Sequence, residues 1–386
     1  MNKFPHYGIL TGTVVWLAGL LMAGCQTTDR VAPLAEKDSV VLYTTGQLLD
    51  LQAHRYVAVY WEQDNMHRLE LGSARETGCY GLQKQGNDLY IVGYYVDPAD
   101  ERVKPCYWKN GHKIDLPLPA HLVFDKAGLR DLQFFQGALY LLGSIDLQPV
   151  IWKIKGNSAP ELIVLKGFPS AVEGGELGTG NLALHNDQLF IGGVQVLEQN
   201  GAFVVHPGYW TIDRRDSVRF QEIDNRPVKS LSFYILPSDQ GVFIAGERND
   251  VRDRSAPTPT IWKNGTRFQL SQPVDPASQR LHEMQTDRQG HLHLNILDYR
   301  RFLPVAWRVS PTGEVTETLL PVPNGATRAF CQNLALVTDT PYYSGTYELG
   351  GKYHACFWIG NQRTEMETAD GSFLTLNRMI AISVKQ

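Results

Sequence analysis

The sequence lacks the features by which many functions are recognised. Its 386 residues contain no run of Lys or Arg and the formal net charge is -4, so nothing predicts binding to nucleic acid. The motifs of serine hydrolases, zinc proteases, phosphate-binding loops and calcium-binding loops are all missing. We therefore expect no cofactor. The sequence leaves catalysis undecided and favours a non-enzymatic role.

A hydrophobic run of membrane-spanning length is also missing. The N-terminal apolar stretch, residues 9–21, has about a dozen residues, whereas a spanning helix needs about 20. Lys3 precedes this stretch, and Met22-Ala23-Gly24-Cys25 follows it. This order of a basic residue, a short apolar core and small residues predicts a secretory signal peptide over residues 1–24.

The end of this segment resembles the lipobox of bacterial lipoproteins. The resemblance implies that Cys25 is lipidated and becomes the first mature residue, and Gln26, which is not Asp, implies sorting to the outer membrane. The membrane is then a partner through a lipid anchor. Residues 25–38 are polar with few apolar anchors, which predicts a flexible tether. The alternative is an ordinary cleaved signal peptide with a coincidental cysteine.

Tryptophan is scarce, and its spacing reveals a repeat. After residue 25 the tryptophans are Trp61, Trp108, Trp152, Trp210, Trp262, Trp307 and Trp358. The intervals of 47, 44, 58, 52, 45 and 51 residues match the period of a propeller blade rather than that of a helical solenoid. Such large apolar side chains are expected in the core between blades. Carbohydrate stacking by all seven is the alternative.

Each repeat also contains a Leu-aromatic-x-x-Gly pattern that lies 9 to 17 residues before the tryptophan. The pattern occupies residues 42–46, 89–93, 139–143, 189–193, 242–246, 292–296 and 341–345, with the glycine lost in the sixth. These segments are apolar and aromatic, and turns rich in Gly, Asn and Asp flank them. Each repeat is therefore predicted to be a four-stranded antiparallel meander, with strands a, b, c and d.

The first repeat lacks a strand a, because residues 40–46 already match strand b. The end of the chain, residues 376–383, matches strand a. We therefore predict an all-β fold, a seven-bladed β-propeller over residues 39–386, in which the C-terminal strand completes blade one. This closure removes the free sheet edges that would otherwise invite aggregation.

Beyond Cys25 the chain has only four cysteines, in a matched pattern. Blades two and seven each carry one cysteine in strand a and one two residues before the tryptophan. Matched pairs in an exported protein predict a disulfide within each blade. The predicted bonds are Cys79–Cys106 and Cys331–Cys356. The alternative is two pairs of buried thiols, and no Cys-x-x-Cys or histidine spacing predicts a metal site.

The start of strand a is expected to line the mouth of the central channel. Alignment on the first apolar residue of this strand gives Gly81 in blade two and polar residues in the other six, namely Asp131, Asn181, Ser232, Glu283, Asn333 and Arg378. This ring of donors and acceptors predicts a site for a small polar ligand or an ion. The alternative is that the side chains cap strand ends and hydrate the channel, with Arg378 in a structural ion pair.

The connections from b to c, and from d to the next a, share the face that carries this mouth, which we call the mouth face. Several of them are long in the sequence: residues 96–104, 167–179, 194–206, 247–258 and 346–355. Binding residues usually lie on the loops of a rigid scaffold, so we place the functional surface there.

The recurring Pro-x-aromatic-Trp-Lys-Asn-Gly motif, clearest at residues 105–111 and 259–265, resembles the repeat of uncharacterised bacterial exported β-propellers. That resemblance implies the fold but no shared activity. We interpret the chain as a lipid-anchored envelope propeller that binds or scaffolds a protein or glycan partner through its long loops. The alternative is an enzyme acting on a saccharide or lactone at the channel mouth. A deep pocket with strongly shifted pKa values there would favour the enzyme.

Overall fold

The computed structural model describes residues 39–118, 129–145, 148–165, 180–223, 233–248, 258–368 and 374–384. The predicted signal peptide, the tether, Cys25, Ser232 and the connection 167–179 lie outside these ranges. Among the described residues, no helix is long and apolar enough to cross a membrane.

The described chain is built from short antiparallel strands. The first fourteen are β1 (Ser39–Asp50), β2 (Arg55–Glu62), β3 (Asn65–Arg68), β4 (Glu76–Gln85), β5 (Asp88–Val96), β6 (Val103–Lys109), β7 (His112–Asp115), β8 (Asp131–Phe135), β9 (Ala138–Ile145), β10 (Gln148–Lys155), β11 (Glu161–Val164), β12 (Leu182–His185), β13 (Gln188–Gln199) and β14 (Ala202–Ile212). The others are β15 (Val218–Glu222), β16 (Phe233–Ser238), β17 (Gly241–Arg248), β18 (Thr258–Lys263), β19 (Thr266–Arg267), β20 (Gln279–Thr286), β21 (Leu292–Asp298), β22 (Pro304–Val309), β23 (Val315–Leu319), β24 (Arg328–Val337), β25 (Thr340–Leu349), β26 (Lys352–Ile359), β27 (Gln362–Glu365) and β28 (Leu374–Val384).

The strands form seven four-stranded sheets, the blades of a β-propeller, and this confirms the predicted fold. Six blades use four consecutive strands, from β4–β7 in blade two to β24–β27 in blade seven. Blade one has the order β28-β1-β2-β3, and β28 pairs antiparallel with β1 from Ser39↔Val384 to Leu48↔Leu374. The C-terminal strand therefore supplies the missing strand a and closes the ring, as predicted.

The seven tryptophans lie in the core between blades, because none is more than 2% exposed. This burial excludes the alternative in which all seven stack on carbohydrate. Several indole N–H groups also bridge blades. Each of these donates to a backbone carbonyl two residues beyond the outer strand of the preceding blade: Trp61 to Glu367 at 2.6 Å, Trp108 to Glu70 at 2.8 Å and Trp358 to Pro321 at 2.7 Å.

The residues after the tryptophan also have defined structural roles. Lys109 pairs across the sheet with Tyr90, the aromatic residue of the strand b pattern, and its ammonium lies 5.4 Å from the ring centroid. Asn110 has a φ of 53°, and its Oδ1 accepts a hydrogen bond from Leu89 N at 2.8 Å. Asn264 has a φ of 50° and makes the same bond to Val242 N. The motif therefore encodes blade packing and a c-d turn rather than a site.

The two predicted disulfides are not formed, since all four cysteines are free and buried. In blade two, Gly93 of strand b pairs with Cys79 on one side and with Cys106 on the other. The two cysteines are thus two strand spacings apart, about 9.5 Å, beyond the usual Cα limit of about 7 Å. Strands b and c remain paired past this row as far as Val96↔Val103, so no loop can fold inward to bring the thiols together.

Blade seven repeats this arrangement, with Cys331 and Cys356 on either side of Gly345. Glycine is required at this place because a Cβ on Gly345 would lie 1.9 Å from the Phe330 carbonyl oxygen. The matched cysteines therefore mark two blades with the same local packing, in which small buried side chains flank a close backbone approach.

Two connections that we expected to be long loops are regular hairpins. Strands β13 and β14 remain paired up to Gln199↔Ala202, and β25 and β26 up to Leu349↔Lys352. The mouth face thus carries extended β-hairpins over residues 194–206 and 346–355, where the sequence was interpreted as loops.

Candidate ligand-binding site at the channel mouth

The strand register defines one equivalent position in every strand a, which we call the mouth position. The third residue of each strand b pattern pairs with one residue of strand a, as Leu141 does with Leu132 and Ile244 with Ile235. The mouth position is the residue immediately before that strand a residue. By this rule the mouth positions are Gly81, Asp131, Asn181, Tyr234, Glu283, Asn333 and Arg378. The register therefore places Tyr234, two residues further along than Ser232, at the mouth position of blade five.

The backbone of strand a is irregular at this level in most blades. The register shifts next to the mouth position in blades one, two, six and seven. In blades three and four, β8 and β12 begin at or just after it. A bulge breaks the alternation of side chains between the two faces of a sheet, so consecutive residues can face the same space.

A cavity of about 310 Å³ lies at this mouth. It is lined by every blade except the seventh, through Tyr80, Arg130, Asp131, Gly180, Asn181, Tyr234, His282, Glu283, Asn377 and Arg378. Four of the six polar residues predicted from the sequence are therefore brought together. Asn333 does not line the cavity. It is fully buried, and its Nδ2 donates to Ser344 Oγ in its own blade at 3.1 Å.

Arg378 connects opposite parts of the ring. It lies in β28 of blade one, and its Nη1 donates to Glu283 Oε1 in blade six and, at 3.3 Å, to Tyr234 OH in blade five. The Arg378 side chain is 20% exposed and that of Glu283 is 4% exposed. The predicted ion pair of Arg378 is thus present, with Glu283 as its partner, and it lies inside the cavity.

Three mouth side chains also join neighbouring blades. In each case a side-chain oxygen accepts a hydrogen bond from the next blade, and the donor is the backbone N–H of the residue after that blade's mouth position. The bonds are Leu182 N to Asp131 at 2.9 Å, Ile235 N to Asn181 at 2.7 Å and Leu334 N to Glu283 at 2.6 Å. Asp131 also accepts from Leu132 N through its other oxygen. Through these bonds the three side chains cap the starts of neighbouring strands, as the alternative prediction has it. The same three residues also line the cavity.

The cavity shifts the titration of the groups that line it. Burial raises the pKa of Asp131, and the charge of Arg378 and two backbone N–H groups counteract this only in part. Burial also raises the pKa of Tyr234, which keeps the phenol neutral. His282 is exposed to the cavity but surrounded by protein, and this desolvation lowers its pKa against the opposing effects of Glu283 and the Gln332 backbone. At neutral pH the imidazole is therefore uncharged.

Five side chains of the cavity were missed by the sequence reasoning. Tyr80, Arg130, His282 and Asn377 each immediately precede a mouth position, and Tyr234 occupies one. The first four face the cavity because strand a is irregular there, and no residue pattern indicates a bulge. Tyr234 could have been found, because nine residues separate Ile235 from its partner Ile244, the same distance as in Leu132↔Leu141 and Leu182↔Ile191.

An aromatic cluster lies on the mouth face beside blades six and seven. Phe330, three residues before the mouth position of β24, packs against Tyr299 and Phe302 of the b-c connection in blade six, with ring centroids 5.7 and 5.9 Å away. Tyr299 is 49% exposed. The backbone N–H of Ala329 donates to the Phe302 carbonyl at 2.8 Å, so this connection is held against β24.

A second group of titratable residues lies at the opposite end of blade six. Asp287 accepts hydrogen bonds from His291 N at 2.8 Å and lies 3.2 Å from His293 Nε2. His293 occupies the aromatic position of the strand b pattern and pairs with Arg308. The group is thus the blade-six version of the aromatic and cation pair seen at Tyr90 and Lys109. Among the described residues no cluster of His, Cys, Asp and Glu could hold a metal ion.

Comparisons with known proteins support the fold. No protein-family model and no curated protein matches the sequence. Among solved structures, the β-propeller domain of the Trilobed protease from Pyrococcus furiosus matches with a TM-score of 0.53 and 9% identity, over 86% of this chain and 93% of that domain. That domain is described as an open velcro propeller, whereas β28 closes the ring here.

Two further matches are weaker. The acylaminoacyl peptidase of Pyrococcus horikoshii has a TM-score of 0.48 and 11% identity over 87% of this chain, which spans 52% of that protein. A Synechocystis ACO mutant has a TM-score of 0.46 and 9% identity, over 92% of this chain and 97% of that one. The seven four-stranded sheets define a β-propeller, and this fold alone does not define a function.

Proposed function

We propose that the protein is a lipid-anchored binding module of the bacterial outer membrane, which presents the mouth face of its propeller to a glycan or protein partner. The lipobox-like sequence that ends at Cys25 supports the anchor. The likeness of the repeat to exported bacterial propellers supports the location. The cavity at the mouth carries the binding part of the proposal, because polar side chains from six blades converge on it.

Enzymatic action at the same cavity is the second candidate. The observation that favours it is the set of shifted pKa values at Asp131, Tyr234 and His282. The carboxylates weaken this candidate, because both oxygens of Asp131 and both oxygens of Glu283 already accept hydrogen bonds from the protein. Both carboxylates therefore have a structural role between blades, which weakens the case for either as a general base or a nucleophile. Binding is therefore the function that the geometry supports best.

The test of the binding function is a crosslinking pull-down from intact cells with the full-length protein. We compare the wild type with Tyr234→Phe and Arg130→Gln at the mouth, and with Arg214→Gln as a control. Arg214 lies in the c-d turn of blade four, on the opposite face, and pairs with Asp187. We expect a specific partner whose recovery falls for the mouth variants and is unchanged for the control. Equal recovery by all four proteins would refute a binding role for the mouth.

A hydrolase screen on saccharides and lactones separates the two candidates. The binding function predicts no turnover. Turnover that is lost in His282→Asn, with the fold intact by circular dichroism, would overturn binding in favour of catalysis.

A further inference from the structure

We propose that the cavity at the channel mouth binds the carboxylate of an acidic sugar, either free or at the end of a glycan. This inference rests on the proposed binding function and names its ligand class. It follows from which hydrogen-bonding groups of the cavity the protein leaves unused.

The carboxylate acceptors of the cavity are already engaged. Asp131 accepts from the backbone N–H groups of Leu132 and Leu182, both at 2.9 Å. Glu283 accepts from Arg378 and from Leu334 N. The side-chain oxygen of Asn181 accepts from Ile235 N at 2.7 Å. Each of these oxygens therefore has at most one lone pair left for a ligand that approaches with donors.

The donors of the cavity, by contrast, are partly unused. Both hydrogen bonds of Arg378 come from Nη1, so Nε and Nη2 have no protein partner among the described residues. The Tyr234 hydroxyl accepts from Arg378, and no described acceptor takes its own hydrogen. Arg130 lines the cavity, is exposed, and forms no ion pair with a described residue.

These unused donors favour a ligand that accepts hydrogen bonds. The charged groups that face the cavity are Arg130, Arg378, Asp131 and Glu283. Glu283 is paired with Arg378, and Asp131 accepts two backbone N–H groups, whereas Arg130 has no ion-pair partner among the described residues. A guanidinium with a free Nε and Nη2 presents two parallel donors, the geometry that matches a carboxylate. The additional donor at Tyr234 lies within hydrogen-bonding distance of the same guanidinium.

Size and surroundings favour a sugar over a longer acidic chain. A volume of about 310 Å³ is at the small end of ligand pockets, which span roughly 300 to 1,000 Å³. On the same face, the half-exposed ring of Tyr299 packs against Phe330, on the strand that carries the seventh mouth position. An exposed aromatic ring on the face that carries the pocket offers an apolar surface on which a further sugar unit of a glycan can stack.

The test is calorimetric titration of the purified full-length protein, in detergent and at fixed ionic strength, with galacturonate and with neutral galactose. We expect galacturonate to bind at least tenfold more tightly, because only its carboxylate offers the guanidinium groups a charged acceptor. Tyr234→Phe should weaken galacturonate binding about tenfold and leave galactose binding nearly unchanged. Arg130→Gln should weaken it several-fold, and the control Arg214→Gln should have no effect.

The outcomes separate this inference from the function on which it rests. Equal affinities for galactose and galacturonate would overturn the carboxylate inference and leave a sugar-binding function intact. Binding of a tripeptide with a free C-terminal carboxylate, but not of galacturonate, would overturn the sugar and leave a binding function. If neither sugar binds but the pull-down still captures a partner through the mouth, this inference fails and the proposed function stands.

Discussion

Arg378 and Glu283 form an ion pair across the channel mouth, although 95 residues separate them in the sequence and they belong to the first and sixth blades. Arg378 lies on the strand that closes the ring, so the pair joins the closing strand to blade six, on the other side of blade seven. Glu283 is in turn tied to blade seven through Leu334 N. The pair therefore links ring closure to the geometry of the cavity.

Breaking this pair from one side should be strongly destabilising. We expect Arg378→Met to lower the free energy of unfolding by about 3 kcal/mol, because it leaves the carboxylate of Glu283 buried without its cation. Adding Glu283→Gln should restore much of the loss, since the amide carries no charge. Urea unfolding of the wild type, both single variants and the double variant gives the coupling energy. Additive losses in the double variant would show that the ion pair does not stabilise the ring.

The architecture was predictable because it depends on residues that recur. Seven tryptophans, seven strand b patterns and a C-terminal match to strand a were enough to specify seven blades and their closure. The cavity was less predictable, because it depends on register and on bulges. Alignment on the first apolar residue of strand a selects Ser232, whereas pairing of Ile235 with Ile244 places Tyr234 at the mouth. The disulfides failed for a different reason: the predicted meander already places strand b between the two thiols of each pair, and the pairing of strand b with both neighbours keeps them too far apart to bond.

Removal of the closing strand tests the ring itself. Deletion of residues 374–386 removes the pairing of β28 with β1 and the buried side chains of Leu376 and Met379. Each of these side chains contributes about 1.5 to 3 kcal/mol by burial, so we expect the melting temperature to fall by about 10 °C or more. Deletion of residues 385 and 386 alone is the control. An unchanged melting temperature after the longer deletion would be incompatible with closure by β28.

The asparagine of the tryptophan motif should stabilise its turn in two separable ways. Asn110→Gly keeps an easy positive φ but loses the bond to Leu89 N, so we expect a loss of about 1 kcal/mol. Asn110→Ala loses the bond and also strains the backbone, so the loss should be about 2 kcal/mol. Chemical unfolding measures both. The same order is expected at Asn264, which makes the equivalent bond, and equal losses for Gly and Ala would contradict the role of the positive φ.

The four buried cysteines should be unreactive thiols in the folded protein. Burial raises the pKa of the Cys79 thiol to about 12, and burial also raises the pKa of Cys106, Cys331 and Cys356. Little thiolate therefore forms at pH 8. We expect iodoacetamide to label none of the four in native protein and all four in guanidinium chloride without reductant, as counted by mass spectrometry. Labelling in denaturant only after addition of a reductant would show that the disulfides exist after all.

Lipidation of Cys25 can be tested apart from the propeller. If the lipobox resemblance is correct, metabolic labelling with an alkyne fatty acid should mark the protein and place it in the outer membrane fraction. Cys25→Ser should abolish the label and release the protein from the membrane, while its melting temperature stays the same, because residues 25–38 precede the first strand. Unchanged labelling of Cys25→Ser would refute the assignment.

The acid dependence of stability should report on Asp287. Its side chain is 1% exposed, and although burial alone would raise its pKa, hydrogen bonds from the His291 backbone and from the imidazoles of His293 and His291 hold the pKa at about 2. Because the folded pKa lies below the unfolded value of about 3.9, the carboxylate stabilises the fold above pH 4, and this contribution is lost as the pH falls towards 2. Asp287→Asn should therefore cost about 2 kcal/mol at pH 6, and the difference from wild type should shrink steadily between pH 4 and pH 2 in urea unfolding. The control is Glu161→Gln, which changes an exposed carboxylate on β11 and should show no such trend. If the difference between Asp287→Asn and the wild type stayed constant with pH, the loss of stability would come from packing rather than from charge.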